Sequence, residues 1–132
     1  MAPRGWHILR DGAAVTVSRA PVVQWDVAAE TTLPAEGHLP EAGRLLVASQ
    51  VRQDLWRALR RQRGFSPAVR VAPEGADLAV RAGGRIDAVF DRSRLEVRIA
   101  GVLSDSADRA RWIRNARRAK TLISEYDREG AR

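Results

Sequence analysis

The chain has 132 residues, a formal net charge of +7 and no cysteine. This length suits one domain with a hydrophobic core of its own, and the lack of cysteine excludes disulfides, thiolate metal sites and cysteine nucleophiles. The positive charge favours polyanionic partners. It comes almost entirely from arginine, since Lys120 is the only lysine, and such a composition with many alanines and glycines is also typical of GC-rich coding sequences.

The first twelve residues contain no apolar run of signal-peptide length, and no later stretch is apolar enough to cross a bilayer. We therefore expect a soluble, cytoplasmic protein that has no membrane association. A single α+β domain is predicted over residues 1–127, followed by a frayed tail over residues 128–132.

A β-hairpin is predicted at the start of the chain, from residues 6–10 and 13–18. The dipeptide Asp11-Gly12 suits a two-residue type I′ turn, in which both central residues need a positive φ. This turn would place Ile8 opposite Val15 and bring the large apolar side chains to one face.

A third strand is predicted from Val23 to Leu33, because apolar and polar residues alternate along its whole length. Its inward phase includes Trp25, which we expect in the core. The stretch from Pro34 to Pro40 is predicted to be a loop.

A long amphipathic helix is predicted from Glu41 to Arg63, ending at Gly64, which is a suitable residue to follow a helix. Its apolar stripe recurs every three or four residues and consists of Leu45, Ala48, Val51, Leu55 and Leu59. Arg44 falls on the polar side of this helix.

The second half of the chain is predicted to have the same element order as the first half: a hairpin, a third strand and a helix. Its hairpin is predicted to turn at Glu74-Gly75, with Val71 opposite Leu78. A three-residue turn at Ala82–Gly84 would then lead to a further strand that ends at Phe90.

Two helices are predicted in the last third. Ser93 and Glu96 form a capping box for a helix that stops near Ser104. The last helix is predicted from about Ala107 to Tyr126, with Trp112 on its inward side.

The predicted order is β-β-β-α-β-β-β-α-α, an α+β fold with antiparallel strands and helices packed on one sheet face. Whether the six strands form one sheet or two is left open by the pattern. The segment VRAGGRIDAVFDRSRLEVRIAGVL, residues 80–103, resembles the last strands and second helix of double-stranded-RNA-binding domains. It departs from that family at Arg92–Glu96, where the family's lysine cluster is replaced by a sequence with no lysine and one acid.

No catalytic or metal-binding constellation can be recognised. His7 and His38 are the only histidines, and they fall in a strand and a loop instead of at a spacing typical of metal ligands. An enzyme would need a pocket that gathers residues far apart in the sequence, for example His7, Asp26 and Asp54. We therefore predict a non-enzymatic protein with no metal and no cofactor.

Two arginine clusters on helices are the candidate polyanion-binding residues. They consist of Arg57, Arg60, Arg61 and Arg63 on the central helix, and Arg111, Arg114, Arg117 and Arg118 on the last helix. Trp56, beside the first cluster, is either a core residue or an exposed aromatic anchor.

The leading hypothesis is a small binding module that engages nucleic acid or another polyanion through these clusters. The alternative is a structural, assembly or adaptor protein whose long helices and strand edge contact other chains or a second copy of this one.

Overall fold

The computed structural model describes residues 5–130, and the side chains in that range up to Arg118. The elements in chain order are β1 His7–Asp11, β2 Ala14–Ser18, β3 Val27–Leu33, α1 Glu41–Leu59, β4 Phe65–Glu74, β5 Asp77–Ile86, α2 Arg92–Ser104 and α3 Ser106–Gly130. The predicted α+β class is confirmed. No helix within residues 5–130 is long and apolar enough to cross a membrane.

One antiparallel sheet carries the fold, with strand order β1-β2-β4-β5-β3. α1 lies over β2 and β4, α2 lies over β3 and β5, and α3 packs along α1 as an outer layer. A single hydrophobic cluster joins the sheet to the helices; its fully buried members include Val27, Val47, Val51, Leu55, Val69, Val71, Ile99 and Trp112. The opposite sheet face carries mainly small and polar residues.

The first hairpin turns one residue later than predicted, at Gly12-Ala13. Ile8 lies opposite Val17, so the predicted pairing of Ile8 with Val15 is wrong. Gly12 has a φ of +60° and Ala13 does not have a positive φ, so the turn is of type II′, which takes glycine first. Because Val15 and Val17 point to the same side of β2, the apolar face is nevertheless the predicted one.

The second hairpin is shifted in the same way, and it turns at Gly75-Ala76. Val71 lies opposite Val80, so the predicted pairing with Leu78 is wrong. Gly75 has a φ of +61°, while Ala76 again does not have a positive φ. Both hairpins therefore use the turn type in which only the first central residue must be glycine.

β5 continues through Gly83 and Gly84, where the sequence predicted a turn. The predicted strand ending at Phe90 is wrong, because β5 is followed by a loop that leads directly to α2. A Cβ atom on Gly83 would overlap the carbonyl oxygen of Val27, and one on Gly84 would overlap that of Ser66. The glycines allow β3 and β4 to approach β5 closely from its two sides.

The element order therefore departs from the order of double-stranded-RNA-binding domains, which residues 80–103 resemble. Two strands instead of three separate α1 from α2, and the sheet also contains the three strands that precede α1. The resemblance does not extend to the fold.

β3 begins at Val27, four residues after the predicted start at Val23. The preceding residues 19–26 are needed to carry the chain from β2 to β3 at the far edge of the sheet. Trp25 lies in this crossing segment and is only partly buried, with the Arg81 guanidinium 5.5 Å from its ring centroid. The expectation that Trp25 belongs to the core is therefore wrong.

α1 ends at Leu59, so the predicted continuation to Arg63 is wrong. Most of its predicted stripe is fully buried, namely Ala48, Val51, Leu55 and Leu59, whereas Leu45 is partly buried. Arg44 is also buried, contrary to its predicted place on the polar side, because its guanidinium donates to the carbonyl oxygen of Leu39.

α2 is capped by Asp91, whose carboxylate accepts a hydrogen bond from the backbone N–H of Arg94 at 3.1 Å. The predicted capping box of Ser93 and Glu96 is wrong. The carboxylate of Glu96 instead accepts from the backbone N–H of Ala28, at 2.9 Å, which ties α2 to the edge strand β3.

Asp105 directly precedes α3 and caps it: its carboxylate accepts a hydrogen bond from the backbone N–H of Asp108 in the first turn. Trp112 and Ala116 are fully buried, and the inward position of Trp112 is confirmed. The helix continues to Gly130, past the predicted end at Tyr126. Other predicted stripe side chains, those of Ala119, Ile123 and Tyr126, lie outside the described set, as do residues 131–132.

Candidate polyanion-binding surface

Asp54 holds two of the eight predicted binding arginines on the side of α1 that faces α3. Its carboxylate accepts hydrogen bonds from the Arg111 guanidinium and, at 2.8 Å, from the indole Nε1 of Trp112. Arg57 lies 3.5 Å from the same carboxylate, and Arg111 also contacts Asp108. The hydrogen bond that Arg111 donates to Asp108 raises the pKa of Arg111 most, and the one that it donates to Asp54 raises it further. The charges of Arg57 and Arg111 are thus partly compensated within the protein.

A cleft of about 440 Å³ lies between the end of α1 and the beginning of α2. Its apolar wall includes Leu59 and Leu95, and its rim carries the exposed side chains of Arg61, Arg94 and Arg98. Within the described part of the chain, none of these three guanidinium groups forms an ion pair. The cleft therefore combines an apolar wall with three uncompensated positive charges.

Sequence reasoning missed Arg94 and Arg98. The signal was present, because these residues are four apart on α2 and flank the inward residues Leu95 and Ile99. Their importance depends on α2 lying beside the end of α1, where Arg61 is located.

The cleft opens into a wider groove that runs towards α3. Ala58 and Arg98 line both the cleft and the groove. Charges in the groove are balanced: Arg57, Arg98 and Arg111 line it together with Asp54, Asp105 and Asp108. The cleft, with three arginines and the single acid Asp91, is the basic part of this surface.

The structure does not bring the two predicted clusters together. α3 runs antiparallel to α1, because Gln50 donates to the carbonyl oxygen of Trp112 while Gly43 lies beside that of Ala116. The exposed Arg114 and Arg118 and the partly buried Arg117 therefore lie along the first half of α1, whereas Arg60, Arg61 and Arg63 are exposed beyond its other end.

A second basic surface lies on the side of α1 that faces the first hairpin. The guanidinium carbons of Arg52 and Arg19 lie 4.4 Å and 5.1 Å from the centroid of the Trp6 ring. Burial lowers the pKa of Arg52, and the nearby charge of Arg19 lowers it further. Trp56, one helical turn after Arg52, is 48% exposed, so its side chain is on the surface and not in the core.

The structure does not gather His7, Asp26 and Asp54, the example of a catalytic set that the sequence offered. His7 lies on β1 and Asp26 lies next to β3, at opposite edges of the sheet, while Asp54 lies beneath α3. Among the described side chains, those of residues 5–118, no group of three or more His, Asp or Glu is arranged to hold a metal ion.

Fold and surface together define a small α+β domain whose helical layer carries an arginine-lined cleft and a tryptophan–arginine cluster. Comparisons of the chain with protein-family models, with curated proteins and with solved structures find no match.

Proposed function

We propose that this protein is a small, non-enzymatic, cytoplasmic module that binds nucleic acid or a related polyanion through its helical layer. The observation that carries the proposal is the cleft between α1 and α2, where Arg61, Arg94 and Arg98 surround an apolar wall without an ion-pair partner in the described residues. Arginine pairs bidentately with phosphate, so three such groups around one cleft suit a phosphodiester backbone.

The single acid of the cleft does not cancel this charge. Asp91 is one carboxylate against three guanidinium groups, and it also accepts the capping hydrogen bond of α2. The exposed Arg60 and Arg63 extend the basic surface beyond the end of α1. Charge without a base-reading element supports binding with little sequence preference.

The arginines of α3 form a separate part of the proposed surface. Arg114 and Arg118 are exposed and have no ion-pair partner among the described side chains. Arg111 instead donates a hydrogen bond to Asp54, and Arg57 lies within ion-pair distance of the same carboxylate. We therefore expect the cleft to contribute more to affinity than the arginines of α3.

The test is the affinity of the purified protein for a generic oligonucleotide at several salt concentrations. Binding that is tight at low salt and collapses at moderate salt supports the proposal, because each phosphate contact releases counterions. The absence of binding at low salt contradicts it.

A second candidate is a structural or adaptor protein that contacts other protein chains. Two exposed valines favour it, since Val89, before α2, is 97% exposed and Val97, within α2, is 73% exposed. The edge strand β1 also offers its outer backbone groups for pairing with another chain. A self-associated or co-purifying species, together with no oligonucleotide binding at low salt, would favour this candidate.

A further inference from the structure

The cluster around Trp6 brings two arginines onto one indole ring. Trp6 precedes β1, Arg19 follows β2, and Arg52 reaches the same indole ring from α1. Cation–π contact stabilises a guanidinium group but leaves its charge in place. The pKa of Arg52 is lowered first by burial and then further by the like charge of Arg19, which lies on the same ring.

No acid compensates this pair within the described residues. Neither Arg19 nor Arg52 forms an ion pair there, and the buried Nε of Arg52 has no hydrogen-bond partner. Arg10, by contrast, has its charge compensated by an ion pair with the carboxylate of Glu41 at 2.6 Å. A bound anion would remove the repulsion between Arg19 and Arg52 and complete the site.

An exposed aromatic ring continues the cluster along α1. Arg52 and Trp56 are four residues apart on one side of α1, and Arg60, the residue that follows the helix with a still helical backbone conformation, continues this spacing. Trp56 is 48% exposed, which leaves part of its indole available for contact. Alternation of arginine with an exposed aromatic ring suits a chain of alternating phosphates and bases.

We infer that Trp6, Arg19, Arg52 and Trp56 form a binding site for single-stranded nucleic acid. The two guanidinium groups bind a backbone phosphate, and Trp56 stacks on a neighbouring base. Unpaired bases can present a face to an indole, whereas bases within a duplex are stacked on each other. This inference rests on the proposed function and specifies its substrate as a single strand.

The experiment compares the affinities of the full chain for an oligothymidylate of about fifteen nucleotides and for a duplex of equal length, over a range of salt. Two variants remove the site: R19Q/R52Q removes the charge pair, and W56L removes the exposed ring. The control R70Q/R92Q removes the same net charge from Arg70, on the sheet face opposite the helices, and from Arg92, at the start of α2.

We expect the single strand to bind more tightly than the duplex and to quench tryptophan fluorescence. W56L should weaken single-strand binding by about fivefold or more, because fivefold is the lower end of what one base–aromatic stack contributes. R19Q/R52Q should reduce the salt slope for the single strand by about 0.7, the value for one lost phosphate contact. R70Q/R92Q should lose much less affinity than R19Q/R52Q.

Equal binding of single strand and duplex, with W56L within twofold of the wild type, would overturn the inference and leave the proposed function intact. Failure of the wild type to bind either nucleic acid at low salt would overturn both. A thermal melt of each variant checks that it folds. W56L changes an exposed position, so it provides the decisive comparison if R19Q/R52Q does not fold.

Discussion

The Arg111 guanidinium donates a hydrogen bond to the carboxylate of Asp54, on the helix that packs against its own. The Asp54 side chain is only 9% exposed, and the same carboxylate oxygen also accepts from the indole of Trp112. This contact joins α1 to α3 and turns an arginine that the sequence suggests for ligand binding into a structural residue.

Replacement of Asp54 by alanine should destabilise the protein by about 1–3 kcal/mol, because it leaves the buried indole N–H of Trp112 without an acceptor. D54N retains an oxygen acceptor and should cost less. The measurement is urea unfolding at neutral pH. R57Q is the control, since Arg57 is 71% exposed and its loss should change stability by less than about 1 kcal/mol. Equal effects of D54A and R57Q would show that the contact does not hold α3.

Replacement of Gly83 by alanine should destabilise the sheet by about 1–3 kcal/mol or more, because the added Cβ meets backbone atoms of β3 that cannot move away singly. The control is Gly101 in α2, where an added Cβ meets nothing within 4 Å. G101A should stabilise by about 0.5–1 kcal/mol, since alanine favours helix more than glycine does. Thermal unfolding of both variants tests the close approach of β3 to β5. A G83A variant with the stability of the wild type would contradict that approach.

Asp26 should make the stability of the fold depend on acid pH. Its pKa is lowered from the ordinary value of 3.8, first by the hydrogen bond from the Gln24 side chain and then by the one from the backbone N–H of Ile86. A lowered pKa in the folded state means that the carboxylate stabilises the fold above the ordinary pKa and that this contribution is lost as the pH falls through the lowered value.

D26N should therefore be less stable than the wild type at neutral pH, and the difference should shrink as the pH falls below about 4. Urea unfolding between neutral and acid pH measures this difference. The matched control is D11N, because the exposed Asp11 side chain has no hydrogen-bond partner among the described residues. A difference between D26N and the wild type that stays constant with pH would rule out this role of Asp26.

The faces of the strands could be predicted from the sequence, but their registers could not. In both hairpins the turn lies one residue later than expected, and this moves each pair by two residues while the same side chains stay inward, as with Ile8 and Val17. Alternation of apolar residues defines a face, and a glycine beside the turn is compatible with two turn types that differ in register.

The continuation of β5 could not be predicted because its cause lies in a distant strand. A Gly-Gly pair is typical of turns, and only the position of β3 beside β5 shows that Gly83 and Gly84 instead make room for neighbouring backbones.

For the candidate site, the sequence could predict that arginines are involved but not which arginines come together. An arginine-rich end of α1 could be recognised from the sequence, but Arg61 meets Arg94 and Arg98 through the packing of α2 against α1. The pairing of Asp54 with Arg111 likewise joins residues 57 positions apart. Contacts of this length leave no local pattern, so composition alone could not separate the binding arginines from the structural ones.

The most direct test of the proposed function is the salt dependence of oligonucleotide affinity in the cleft variant R61Q/R94Q/R98Q. Its matched control is R10Q/R81Q/R92Q, which removes three arginines that each lie within ion-pair distance of a glutamate. The proposal predicts that the cleft variant loses at least about tenfold in affinity at low salt and that its salt slope falls by about 2–3, as three lost phosphate contacts require. The control should stay much closer to the wild type. Equal losses in the two variants would show that binding follows net charge alone, and would contradict the assignment of the cleft.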